Sequence, residues 1–344
     1  MYACHFRRGL SRLAAFALAV AVTGWAHAAD PFSSRPIVVA QASQPAANPK
    51  IVVATGIDPS FAHYVVAVKK GFFEKQGIDA ELRSFDDGNV ALDSLLTGAA
   101  DIGGTSELGG IVRIARGGKL YVMASGIQYA DFFGLVGKNS IQKPKDLEGK
   151  AVGVPRGSGA HLFMAKYAAF HGIELGKMSV KYLQAPESVA ALARGDIEAF
   201  FLWDPWLSRA ASSVADTRII ARSAENNVFR LNTYVFYSQK LLDNTDLAQK
   251  SMRALIEGAE WAMANRSEAS KVVGEAYRMS PADTERIMQP IQWNIHFDSV
   301  FKSYLLDAAE FAKQVEIIRE IPNVDPFLRP DVLKAVDAAR VKGG

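Results

Sequence analysis

From Ile51 to Trp203 the chain repeats one unit: a short apolar or β-branched run, a turn bearing Gly, Ser or Asp, then apolar residues at helical spacing. This alternation constrains the fold more than any other feature, because parallel strands need long crossovers and helices supply them. The expected class is α/β with largely parallel, doubly wound sheets. The clearest unit is Ala151 to His161. Ala151 to Val154 is a strand, and Leu162, Phe163, Tyr167 and Phe170 recur at helical spacing until Gly172 stops the run. Without side chains at Gly157 and Gly159, a ligand can approach the backbone, and the first-turn N–H groups of the helix point towards it. Ser158 adds a hydroxyl, so the turn reads as an anion site. The same residues also suit a tight strand–helix connection with a serine cap and no ligand. The Gly-Lys-Ser/Thr ending and the full G-x-G-x-x-G pattern are both missing, so a nucleotide is the poorer choice of anion.

The other units follow the same order. Ile51 to Ala54 is a strand, Asp58-Pro59-Ser60 a loop and cap, and Phe61 to Phe73 a helix. Ala80 to Phe85, the turn Asp86-Asp87-Gly88-Asn89 and the helix Val90 to Leu96 come next. Asp101 to Gly104 is a strand, with Thr105-Ser106-Glu107 capping a third helix; Leu120 to Ala124 opens onto Ser125-Gly126, and Phe132 to Val136 is a further strand. A second set starts after Lys138, and Leu192-Ala193-Arg194-Gly195-Asp196-Ile197 echoes Leu95 to Ile102 as a weak internal repeat. Tyr234 to Tyr237 is a late strand, beyond which the sequence reads as helix: 246–264, 267–278, 281–288 and 298–316. These helices have no strands of their own to cover, so the chain is expected to return to the first lobe at about Asn232. The resulting division is 51–137 plus 235–344 against 138–234, with crossings near Lys138 and Tyr234 and a cleft between the lobes.

Ahead of the folded part, Arg7, Arg8 and Arg12 precede an apolar run from Leu13 to Val22 and the small-x-small sequence Ala26-His27-Ala28. This is the pattern of a cleavable secretory signal at 1–28, too short in its apolar run to span a membrane. Residues 29–50, rich in Pro, Ala, Ser and Gln, read as a flexible leader. Three of the 39 Lys and Arg residues lie in the signal, leaving 36 against 36 Asp and Glu, so neither nucleic acid nor an anionic membrane is an expected partner. The sole cysteine, Cys4, is in the signal too, which leaves the mature chain without a thiol, a disulfide or a cysteine metal site. No cofactor or metal is expected. With no heptads or long exposed edges evident, a soluble monomer outside the cytoplasm is.

Six pieces in order carry a resemblance: Lys70-Gly71-Phe72-Phe73-Glu74-Lys75-Gln76-Gly77-Ile78, Leu96 to Gly103, Pro144 to Lys150, Val154 to His161, Leu192 to Ala199, and Trp203-Asp204-Pro205. Over Ile51 to Leu333 the chain resembles the extracytoplasmic substrate-binding proteins of ABC importers for nitrate, taurine and aliphatic sulfonates. The resemblance implies a two-lobe periplasmic-binding-protein fold that closes on a small organic anion and delivers it to a membrane permease, without catalysis. It does not fix the solute. Alternatives within the resemblance are a pyrimidine-forming enzyme of thiamine biosynthesis and a ligand sensor docking on a receptor. The first relies on a cysteine-rich segment, which the mature chain does not have.

By position, the family's cleft loops match Asp58, Ser60 and Phe61; Thr105, Ser106 and Glu107; Ser125 and Gly126; Gly157, Ser158, Gly159, Ala160 and His161; and Trp203 and Asp204. Ser158 and the amides of Gly159 to His161 are expected to hold a sulfonate or carboxylate, which needs several donors once removed from water. His161 either donates to the same anion or is an ordinary first-turn residue. Asp204, directly after an apolar strand, either pairs with a ligand amine or caps the helix beginning at Pro205. Trp203 is the expected flat wall, with Trp206 in the core. Glu107 departs from the smaller uncharged residues expected there, and the scattered His, Asp and Ser residues form no hydrolase motif.

Overall fold

The computed structural model describes residues 47–129 and 131–342; the signal at 1–28 and most of the leader lie outside the described residues. Two mixed sheets flanked by helices make up residues 47–342, so the α/β class is as expected. In the first sheet are β1 (Lys50–Gly56), β2 (Asp79–Phe85), β3 (Ile102–Ser106) and β4 (Leu120–Tyr129). The second contains β5 (Phe133–Lys138), β6 (Ala151–Val154), β7 (Ser179–Tyr182), β8 (Ala199–Trp203) and β9 (Thr217–Arg222). The chain then returns to the first sheet with β10 (Leu231–Ser238) and β11 (Trp293–His296). Strand order is β11-β4-β10-β3-β1-β2 in the first sheet and β7-β6-β8-β5-β9 in the second.

Each sheet has a parallel three-stranded part made by strand–helix–strand units, β2-β1-β3 and β7-β6-β8. Val53 pairs with Leu82 and Ile102, and Val152 pairs with Val180 and Ala199. The strands that enter from the other sheet pair antiparallel: β10 lies between β3 and β4, with Tyr234 opposite Thr105 and Ser125, and β5 lies between β8 and β9. This pairing moves the expected division of the chain. β5 belongs to the second sheet, so the first crossing falls between Tyr129 and Phe133 and not near Lys138. β10 is in the first sheet from Leu231, so the second crossing precedes Tyr234. The short strands β9 and β11 carry too little pattern to stand out in the sequence. β11 interrupts a C-terminal stretch that is otherwise largely helical.

Burial explains the strand sequences. β3, β8 and β10 are buried on both faces and read as continuous apolar or small runs, whereas the edge strands β2 and β7 are largely exposed. The 20-residue helix Thr245–Ala264 covers the first sheet by lying against the helix Ala62–Lys69. Their approach requires Gly258, where a Cβ would stand 2.7 Å from the His63 carbonyl oxygen and 2.8 Å from Ala67 Cβ. The helix Val300–Gln314 packs against Glu107–Ala115 and closes the same layer. Among the described residues no helix is long and apolar enough to cross a membrane.

Candidate functional site

At the edge of each sheet where the parallel strands end, the chain turns into helix, and the turns of both sheets meet. Asp58 follows β1, Asp87 follows β2, Thr105 and Ser106 end β3, Ser158 and Gly159 follow β6, and Trp203 ends β8. β5 and β10 run the other way, so Phe132 and Phe133 at the head of one and Leu231 and Thr233 at the start of the other reach the same edge. Together with Phe61, Gly88 and Asn89 these residues line one pocket.

Four N-caps converge on it. Asp58 accepts from the Ser60 N–H at 2.7 Å and caps the 3-10 turn Pro59–Phe61. Asp87 accepts from the Asn89 N–H and caps the helix Gly88–Leu96. Ser106 accepts from the Gly109 N–H at 3.5 Å at the head of Glu107–Ala115. Ser158 accepts from the His161 N–H at 3.3 Å at the head of Gly159–Phe170. Three α-helical dipoles, from both sheets, thus present their positive ends to the cavity, together with first-turn N–H groups that have no intrahelical acceptor. The second glycine of the turn is essential to this meeting. A Cβ at Gly159 would lie 2.6 Å from Phe133 Cζ and 3.1 Å from Ser106 Cβ.

Asn89 fastens the two rims. Its Oδ1 accepts from Thr105 Oγ1 at 3.1 Å, and its Nδ2 donates across the cavity mouth to the Gly157 carbonyl at 3.3 Å. The ring of Phe133 lies edge-on to Trp203, with centroids 6.3 Å apart, and edge-on to Phe132 at 4.9 Å.

The lining residues include no Lys, Arg or His but two carboxylates. Burial raises Asp58 to about 7, against the opposing amide bond from Ser60, and the negative charges of Asp204 and Asp87 raise it further. Burial also raises Asp87, offset in part by the Asn89 amide and by Arg113. Arg113 itself is held by both oxygens of Asp93, at 2.7 and 2.8 Å. Two donors complete the lining: Trp203 Nε1 and Thr233 Oγ1 are buried without a hydrogen-bond partner among the described residues.

Of the residues expected from sequence, Asp58, Phe61, Thr105, Ser106, Ser158, Gly159 and Trp203 line the cavity. Ser60, Glu107, Ser125, Gly126, Gly157, Ala160, His161 and Asp204 are not among its lining. Asp204 is occupied elsewhere: it accepts from Arg222 Nη1 at 2.9 Å, from the Ser208 N–H at 3.0 Å and from the Ser208 hydroxyl. The His161 ring packs edge-on to Tyr182 and Phe311, and its Nδ1 accepts from the Gly157 N–H at 3.3 Å. Burial lowers it to about 4, so it is neutral at pH 7. Burial raises Glu107 to about 8. The Ser125 hydroxyl donates to the Ile127 carbonyl at 3.3 Å. The Ser158 hydroxyl donates to the Pro155 carbonyl at 2.8 Å, so its proton is already engaged and only its oxygen caps the helix.

Sequence reasoning missed Asp87, Gly88, Asn89, Phe132, Phe133, Leu231 and Thr233. The first three were readable, because Asp86-Asp87-Gly88-Asn89 is the turn after a strand and the rule used for Ser158 applies to it unchanged. The other four needed knowledge of where the antiparallel strands enter.

The NMT1/THI5-like family model matches residues 58–269, which spans all of these cap positions. The chain belongs to the NMT1/THI5-like family. The taurine-binding periplasmic protein of Escherichia coli is 30% identical over 162 residues, 46% of this chain and 49% of that one. The alkanesulfonate-binding protein from Xanthomonas axonopodis has a solved structure similar at TM-score 0.71, with 18% identity over 81% of this chain and 97% of its own. The periplasmic nitrate-binding protein from Synechocystis is similar at TM-score 0.71, with 14% identity over 84% and 88%. At such identities the two structural likenesses speak for the fold, and the fold is that of periplasmic binding proteins.

Proposed function

We propose that the chain is the solute-binding component of an ABC importer, acting outside the cytoplasm, which holds a small organic anion between its two sheets and passes it unchanged to a membrane permease. The observation that carries this reading is the convergence of four capped N-termini, drawn from both sheets, on one pocket. An anionic group there meets backbone N–H groups and the positive ends of helix dipoles, the arrangement best suited to holding it away from water. The first-sheet and second-sheet parts act as two lobes, joined among the described residues by chain crossings after Tyr129 and before Leu231. Paired crossings allow rotation without repacking either core. The Asn89–Gly157 bond belongs to the closed form.

The named relatives, which bind taurine, alkanesulfonates and nitrate, support the class of function. Phe61, Phe132, Phe133 and Trp203 give the cavity a larger apolar wall than an inorganic anion would use, which favours an organic solute. Denaturing the exported protein and analysing the released small molecules by mass tests the reading. A stoichiometric organic anion, recovered unaltered after prolonged incubation, is expected. Steady conversion of that molecule into another would make the chain an enzyme.

A further inference from the structure

We infer that the solute carries a protonated nitrogen as well as its acceptor group, and that Asp58 and Asp87 hold that nitrogen. The inference rests on the solute-binding reading above and concerns what the cavity selects. A cavity built for a bare anion would not surround it with carboxylates. Here Asp58 and Asp87 are 5% and 3% exposed, both line the space, and no lining residue bears a cation to neutralise them. Each gives one oxygen to its cap bond. An acid held by an arginine, Asp204, shows the contrast: its charge is matched by Arg222 at 2.9 Å and it stays out of the lining. The two lining acids lack such a partner among the described residues, and an ammonium from the solute would supply it.

The same lining also holds donors. Trp203 Nε1 and Thr233 Oγ1, in residues 5% and 3% exposed, have no partner among the described residues. Gly159 opens its helix with a free first-turn N–H. A buried donor left unpaired is costly, so these groups ask for acceptor oxygens from the solute. Buried acids and unpaired donors thus line one pocket, and a zwitterion satisfies both where an anion satisfies only the donors.

Calorimetric titration with matched probes tests this: 3-aminopropanesulfonate against propanesulfonate, β-alanine against propionate, and propylammonium alone. The amine-bearing member of a pair should bind tighter by roughly 10- to 150-fold, the range of one charge-assisted hydrogen bond. Asp87→Asn and Asp58→Asn should each remove most of that preference while the melting temperature holds, because Asn caps a helix about as well as Asp. Amine-free anions binding as tightly as their partners would overturn the inference and leave the solute-binding reading standing. If none of the probes binds, the solute released from the exported protein decides: a protonatable nitrogen in its formula supports the inference, and its lack refutes it. If no probe binds and no solute is recovered, the solute-binding reading itself fails.

Discussion

The two rims of the cavity are built by the same strand–turn–helix rule and differ in what they contribute. The first-sheet rim, Asp58, Asp87, Asn89, Thr105 and Ser106, is polar and holds both lining carboxylates. The second-sheet rim is led by Phe132, Phe133, Gly159 and Trp203. A rim made of buried rings is tied into a core, so its residues should matter for stability. A rim made of buried charges is held at a cost and should matter for recognition. Stability and affinity therefore belong to different sides of one cavity, and that separation can be attacked by mutation.

The largest effect should come from Phe133→Ala. The ring is buried and touches Phe132, Phe163, Trp203 and Phe229. Removing it should lower unfolding free energy by about 3–5 kcal/mol in chemical denaturation. Asp87→Asn on the opposite rim should change it by less than about 1 kcal/mol, because the cap survives and a buried charge is relieved. Equal losses in the two variants would erase the distinction between the rims.

Next in size is Gly159→Ala, which forces a methyl against Phe133 and Ser106. Overpacking of this kind costs about 1–3 kcal/mol. Because the crowding is greatest when the rims meet, the loss should appear in solute affinity as well as in melting temperature. A variant with reduced stability and intact affinity would mean that closure does not bring Gly159 up to Ser106.

The pH dependence comes third. Asp58 titrates at about 7 in the fold, against 3.8 for an ordinary aspartate. Between those values the native state binds the extra proton, so this residue's contribution to stability falls as pH rises from about 4 to about 7, then stays constant. Glu107, raised to about 8, acts in the same direction, while His63, lowered by burial to about 3, acts in the opposite one below about 6.5. Comparing the solute-free protein with Asp58→Asn isolates the first term. The difference between them should widen from pH 5 to pH 7.5, and a constant difference would show that Asp58 titrates normally.

The smallest effect is expected at Asp204. Its carboxylate is 6% exposed but paired with an Arg222 that is 21% exposed, so Asp204→Asn weakens one ion pair at the cavity's margin. A stability loss of about 1.5 kcal/mol or less and a change in solute affinity below threefold should follow. A large affinity loss with an amine-bearing solute would return Asp204 to the role its sequence position suggested.

Most of this architecture was legible because parallel strand–helix units leave a strong local signature. Val152 to Phe170 was read as strand, turn and helix, and the structure shows β6, the Ser158 cap and the helix Gly159–Phe170. The crossings were not legible, since β5 is an apolar run that pairs equally well with either sheet, and only tertiary contacts decide. The same limit hid Phe133 and Thr233. Asp204 is a different case: of its two readings, ligand partner or helix cap, the structure shows it accepting from the Ser208 N–H, and Arg222, from a strand the pattern did not reveal, also pairs with its carboxylate. Of the two acids that line the cavity, Asp58 was among the expected residues, while Asp87 sat in a turn read only as a turn.

The most direct measurement is the indole N–H resonance of Trp203 during solute titration in the ¹⁵N-labelled protein, assigned with Trp203→Phe. Trp203 Nε1 is an unpaired donor beside the space the solute should fill, while Trp293 Nε1 already donates to the Ser60 carbonyl at 3.0 Å and provides an internal reference. A downfield shift of the Trp203 signal that saturates at one solute per chain, with Trp293 unmoved, is the expected result. Saturable binding that leaves the Trp203 signal in place would put the solute somewhere other than between the two rims.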